Sequence, residues 1–154
     1  MGLYYLDTSA LVKLYVREPG TEEMLRLANA TPSHTFTVLS LAPVEFHAAI
    51  RRRERAGDVG ADAADGILLA FAKHLAEVFI RQPITEATVE TALQLIDRYT
   101  LRAYDAMQLA GCLVMPRSAG GEPVRFACAD ISLEGAARSE GLATLNPGRS
   151  EEPV

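Results

Sequence analysis

The sequence predicts a three-layer α/β/α domain with a central, mainly parallel sheet and an acidic site at the sheet's carboxyl edge. Two observations carry this. Short apolar runs alternate with stretches of helical periodicity, the pattern of parallel strands joined by helices. Two of those runs, Leu3-Tyr4-Tyr5-Leu6 and Arg125-Phe126-Ala127-Cys128-Ala129, end in an aspartate, Asp7 and Asp130, at the start of a helical segment. Ligands of open α/β sheets bind at that carboxyl edge.

Taken in order, Leu3 to Leu6 read as a buried strand bounded by Asp7. Thr8 to Tyr15 read as a helix with Thr8 and Ser9 as N-cap candidates. Glu18-Pro19-Gly20 is a break, after which Thr21 to Asn29 resume helical spacing with Met24, Leu25 and Ala28 on one side. Thr35 to Val38, β-branched or aromatic, form a second strand. Leu41 to Gly57 form a helix with Pro43 in the first turn, where a missing N–H costs nothing. Asp62 to Ala76 form another, on which Ala64, Ile67, Leu68, Phe71 and Leu75 follow the 3.6 period.

Glu77 to Ile80 read as a short strand closed by Gln82-Pro83, and Thr85 to Tyr99 as a helix with Val89, Ala92, Leu93 and Ile96 inward. Asp105 to Val114 form one more helix. Met115 to Glu122, with Pro and two adjacent Gly, read as an exposed loop. Val124 to Ala129 are a strand, Ser132 to Glu140 a helix and Leu142 to Leu145 a last strand. Asn146-Pro147 closes the fold, and residues 148–154 read as a flexible C-terminal tail. The chain shows no internal repeat.

At 154 residues the chain is expected to form one domain with a substantial core. No apolar run approaches the ~20 residues of a membrane span, and the start lacks a secretory signal pattern, so a cytoplasmic location without membrane attachment is expected. Two cysteines, Cys112 and Cys128, cannot make a disulfide framework. His34, His47 and His74 are scattered, which speaks against zinc. A net charge of −5 argues against broad nonspecific nucleic-acid binding, which needs a basic surface. It leaves room for a nuclease that borrows positive charge from a divalent cation.

Four acids occupy positions where an apolar strand or helix would otherwise avoid charge. Asp7 and Asp130 end strands. Glu45 lies in Leu41-Ala42-Pro43-Val44-Glu45-Phe46-His47-Ala48-Ala49, and Asp105 precedes the small-residue run Ala106-Met107-Gln108-Leu109-Ala110. Three also have a structural reading: Asp7 and Asp105 as N-caps, and Glu45 as an acid complementing a helix dipole. Gathered at one edge, four carboxylates would repel and hold on to their protons unless a cation bridged them. Hard divalent ions such as Mg²⁺ and Mn²⁺ prefer such oxygen ligands, and can activate water against a phosphodiester. Arg51-Arg52-Arg53-Glu54-Arg55 is the one dense basic patch. Arg52, two helical turns beyond Glu45 and nearly in line with it, is placed to meet a phosphate, with Arg51 beside it.

Together these motifs resemble the PIN domain, most closely the VapC-type toxin ribonucleases of bacterial toxin–antitoxin pairs. The resemblance runs from Tyr4 to Pro147. It rests on Leu6-Asp7-Thr8-Ser9-Ala10-Leu11-Val12, Val44-Glu45-Phe46, Tyr104-Asp105-Ala106-Met107-Gln108-Leu109-Ala110 and Phe126-Ala127-Cys128-Ala129-Asp130. It implies a PIN domain over residues 1–147 that acts as a Mg²⁺- or Mn²⁺-dependent endoribonuclease on an RNA substrate. It further implies the toxin of a type II toxin–antitoxin system, silenced by a cognate antitoxin protein and working as a homodimer. Asp7, Glu45, Asp105 and Asp130 carry over as the catalytic and metal-binding acids, with Thr8 or Ser9 supplying a hydroxyl near the metal. Two positions depart from the pattern: Cys128 stands where many relatives have Thr or Ser, and Ile131 where a basic residue is common.

Rival readings are weaker. A phosphoaspartyl phosphatase of the haloacid-dehalogenase type wants a second Asp two residues after the first, where this chain has Ser9. A receiver-type signalling domain wants paired acids after its first strand, where Asp7 stands alone. The alternative from another class is a noncatalytic PIN-like module that binds RNA or protein.

Overall fold

In the computed structural model, which describes residues 1–116 and 121–149, strand and helix alternate from the first residues on. Strand β1 (Leu3–Leu6) leads into helix α1 (Thr8–Leu11), which tightens into a 3-10 turn over Val12–Leu14. Then come α2 (Thr21–Ala28), β2 (Thr35–Leu39), α3 (Ala42–Arg55), α4 (Ala61–Glu77) and β3 (Ile80–Gln82). The chain continues through α5 (Glu86–Arg98), α6 (Ala103–Leu113), β4 (Val124–Ala127), α7 (Ile131–Ser139) and β5 (Ala143–Leu145). The strands form one parallel sheet in the order β3-β2-β1-β4-β5. This is the expected three-layer architecture.

Side chains of β1 alternate across the sheet, as the two-residue repeat of a strand requires. Tyr4 and Leu6 join one core with Leu11, Met24, Phe46, Ile50 and Phe71, under α1 to α4. Tyr5 joins the other with Leu95, Leu109, Phe126 and Leu133, under α5 to α7. From β1 the chain moves to β2 on one side, and β4 lies on the other. The strand order therefore reverses between β1 and β4, and the crevice beyond their carboxyl ends is where such sheets bind ligands. Register places Leu6 opposite Ala127, so Asp7 and the Cys128–Asp130 segment emerge side by side.

Close approach of α6 to the sheet depends on Gly111. A Cβ there would overlap the Tyr5 hydroxyl and come within 2.7 Å of Leu39 Cδ1.

Several sequence expectations need correction. The third strand is not Glu77–Ile80 but Ile80–Gln82: α4 runs on through Glu77, and Val78 and Phe79 both donate to His74 O. The inward face of α5 is Thr88, Ala92 and Leu95, whereas Val89, Leu93 and Ile96 are exposed. This helix carries two apolar stripes one residue apart, and α6 takes the one containing the smaller side chains. On α2, Met24 is buried while Leu25 is exposed. The cap of α1 is Asp7, not Thr8 or Ser9, and the N-cap position of α6 is Arg102, which places Asp105 inside the first turn. The expected loop over Met115–Glu122 lies partly, and the expected tail mostly, outside the described residues. Of that tail, Gly148 N donates to Glu23 Oε2 at 3.1 Å and Arg149 lies 3.5 Å from Glu134.

Candidate active site

Asp7 is the first residue beyond β1, and its own N–H continues the sheet by donating to Ala127 O at 3.0 Å. Its Oδ2 accepts from Ser9 N at 3.1 Å, capping α1, and also from the Ser9 hydroxyl. Ser9 Oγ in turn accepts from Ala129 N at 2.9 Å. One serine thus ties the aspartate to the segment leaving β4. Only 5% of Asp7 is exposed. Burial pushes its carboxyl up to about 6, with the negative charges of Glu45 and Asp105 adding to the rise and the Ser9 hydrogen bonds opposing it.

Glu45 reaches the same place from the start of α3. Its Oε2 accepts from Thr8 Oγ1 at 2.7 Å and from Gln108 Nε2 at 2.6 Å, and Gln108 Nε2 also donates to Thr8 Oγ1 at 3.2 Å. Asp105, in the first turn of α6, is half-buried. Its carboxyl is raised by burial and then by the charges of Asp130 and Glu45, against the lowering pull of Arg102 3.9 Å away. Asp130 caps α7, its Oδ1 accepting from Leu133 N at 2.8 Å.

All four acids line one open cleft of about 510 Å³, with Thr8, Ser9, Arg52, Arg102 and Tyr104 on its walls. The remaining oxygens of Asp7 and Glu45 accept no hydrogen bond among the described residues, and neither is sealed from solvent. Each of these carboxylates is held by one oxygen and offers the other to the cleft.

Both candidate hydroxyls are therefore committed to orienting carboxylates: Thr8 to Glu45 and Ser9 to Asp7. Arg52 lines the cleft, is exposed, and makes no ion pair among the described residues. Arg51 does not line it; its guanidinium is bound at 2.7 Å to both Glu54 and Asp65. Cys128 is buried, and its Sγ donates to Asp130 O at 3.2 Å. Burial holds this thiol well above the ordinary range, so it stays neutral and supports the backbone of Asp130. Gln108 received no role from sequence reasoning. Its one signal there is an amide on the otherwise small and apolar inner face of α6.

The donor set is all oxygen, which suits a hard divalent cation. Among the described residues no three acidic, histidine or cysteine side chains close around a single point. The acids ring the cleft instead of caging an ion. That fits Mg²⁺, which keeps several waters and takes only one or two carboxylates directly, completing its shell with phosphate oxygens. The carboxyls of Asp7 and Asp105 are raised first by burial and then by their acidic neighbours, and a cation would offset both.

Comparison with known proteins identifies the family and the fold. The PIN domain family profile matches residues 4–115. Ribonuclease VapC47 of Mycobacterium tuberculosis (strain CDC 1551 / Oshkosh) is 28% identical over 148 residues, covering 95% of this chain and 98% of that protein. Among solved structures, M. tuberculosis VapC20, described as a Sarcin-Ricin loop cleaving toxin, superposes with a TM-score of 0.64 at 19% identity, over 94% of this chain and 99% of the other. The VapBC2 complex of Rickettsia felis, bound to a promoter DNA fragment, gives 0.61 at 12% identity, over 94% and 98%. The family match covers most of the chain, including β1 with Asp7, α3 with Glu45 and α6 with Asp105, and on it the protein belongs to the PIN domain family.

Proposed function

We propose that the protein is a metal-dependent endoribonuclease that hydrolyses RNA phosphodiester bonds, the toxin of a type II toxin–antitoxin pair. The observation that carries this reading is the convergence of Asp7, Glu45, Asp105 and Asp130 on one cleft. The similarity to VapC47, a ribonuclease by name, supports the same activity.

Asp7, Glu45, Asp105 and Asp130 are the residues that would hold Mg²⁺ or Mn²⁺. When bound, the cation supplies an activated water and charge stabilisation at the phosphoryl group. The chain's own part is orientation. Ser9 and Thr8 fix the carboxylates of Asp7 and Glu45, and Asp130 is held by capping α7. Asp7 must give up its proton for the site to bind a cation, and its carboxyl sits at about 6, within reach of neutral pH. Arg52 takes an RNA phosphate on the α3 wall, and Arg51, pinned behind it, adds to the local positive field.

An antitoxin protein is the expected partner, by analogy with the VapBC2 complex. A second copy of this chain is the other, as the family resemblance implies. The site of action would be the cytoplasm; among the described residues no helix is long and apolar enough to cross a membrane.

The test is cleavage of a panel of structured RNAs by purified protein with Mg²⁺, Mn²⁺ or EDTA, beside Asp7→Asn. Metal assistance is worth several kcal/mol, and each 1.36 kcal/mol is tenfold in rate, so Asp7→Asn should lower cleavage by roughly 100-fold or more. Mn²⁺ binding with no cleavage of any RNA would favour the noncatalytic module.

A further inference from the structure

We propose that Gln108 is a positioning residue of the acidic site: its amide locks the Glu45 carboxylate and the Thr8 hydroxyl into one closed hydrogen-bonded set. In doing so it fixes the helix that carries Asp105 relative to the other two. The inference rests on the metal reading above and assigns a role to a residue outside the acidic set.

Gln108 is fully buried, on the face of α6 that otherwise presents Ala106, Leu109, Ala110 and Cys112 to the core. An amide placed there is costly unless its groups are paired. Its NH₂ group donates to Glu45 Oε2 at 2.6 Å and, at 3.2 Å, to Thr8 Oγ1. The Thr8 hydroxyl then donates to the same Glu45 oxygen at 2.7 Å. The orientation of the amide is fixed by chemistry, because an ionised carboxylate only accepts and cannot face the amide oxygen. Glu45 Oε2 thus takes two donors, and Oε1 is the oxygen left for a cation.

Two further observations separate positioning from packing. The other half of the amide, Gln108 Oε1, is buried with no partner among the described residues. A residue present only to fill the core would be better served by Met or Leu, so the side chain is explained by its donors. In addition, α6 packs on α5, α7, β2 and β4. Among the described residues the bonds from Gln108 are its direct hydrogen-bonded link to α1 and α3. Asp105 sits one turn earlier on the same helix, so the amide sets how far that acid stands from Glu45.

The experiment compares wild type, Gln108→Met, Thr8→Val and the double variant by urea unfolding and by calorimetric titration with Mn²⁺, without RNA. Residues that orient metal ligands typically cost about 10–100-fold in metal affinity when removed. We expect Gln108→Met to fold and to bind Mn²⁺ weaker by about that factor. The double variant should bind no worse than Gln108→Met, since the two residues act as a unit. If Gln108→Met does not fold, Gln108→Leu, which also removes the donor and adds no charge, is judged by the same criterion. Wild-type Mn²⁺ affinity in a folded Gln108 variant overturns the proposal while leaving the metal site intact. A wild-type protein that binds no Mn²⁺ overturns the metal reading and this inference with it.

Discussion

Asp7 is placed where a carboxylate is expensive, and its energetics expose what the site is for. Its proton leaves near 3.8 in the unfolded chain and near 6 in the folded one. Between those values the native state binds more proton, so this group makes stability fall as pH rises through the window. The full difference at neutral pH is roughly 3 kcal/mol. Metal-free Asp7→Asn keeps an N-cap and an acceptor for Ser9 but carries no charge. It should therefore be more stable than wild type at pH 7, by up to about 3 kcal/mol, with no such advantage at pH 4. Urea denaturation in EDTA at both pH values measures this, and parallel behaviour of the two proteins would remove Asp7 as the responsible group. Added Mn²⁺ should reverse the order, since mass action stabilises only the protein that binds it. Asp7 and Asp130 were legible in the sequence because an acid that closes an apolar run stands at the end of a strand, where it caps a helix or meets a ligand. Glu45 was legible because it interrupts an apolar helix face. The duties of Thr8 and Gln108 were not, because they depend on Glu45 lying 37 and 63 residues away from them. A linear pattern does not report such pairings.

At the scale of elements, the site depends on how closely α6 rides over the sheet. Tyr5 is fully buried and its hydroxyl has no partner among the described residues, yet that hydroxyl occupies the space a side chain at Gly111 would need. Gly111→Ala should cost about 1–3 kcal/mol by overpacking. Tyr5→Phe alone should be neutral or stabilising, because it removes a buried donor that nothing satisfies. The double variant should regain much of the loss, leaving only the contact with Leu39. Thermal melts of the four proteins form a double-mutant cycle. Simple additivity would mean that α6 shifts instead of pressing on the hydroxyl. Strand and helix order was legible because periodicity reports it directly. The inward face of α5 was not, since Val89, Leu93 and Ile96 and the buried Thr88, Ala92 and Leu95 run as adjacent stripes at the same spacing. Only the surface of α6 decides between them.

For the whole molecule, the question is how a chain of net charge −5 approaches RNA. Most cations near the cleft are already spent. Arg53 is held by Glu18 at 3.0 Å, Arg51 by Glu54 and Asp65, and Arg102 stands beside Asp105. Arg52 is exposed on the cleft wall without an ion pair among the described residues. A phosphate contact releases counterions, and for a single strand each one contributes about 0.7 to the slope of log affinity against log salt. Arg52→Ala should therefore weaken binding of an oligouridylate in the presence of Mn²⁺ and reduce that slope by about 0.7. Fluorescence anisotropy across a KCl series reads both quantities, and calorimetry should give an unchanged Mn²⁺ affinity. An unchanged slope would reduce the α3 strip to ordinary helix surface, leaving the cation as the sole source of attraction for the backbone. A fall in Mn²⁺ affinity would instead place Arg52 among the groups that arrange the acids. The acidic surface elsewhere follows the same logic: binding is weak except where a cation and Arg52 together offset the carboxylates, which confines RNA to the cleft.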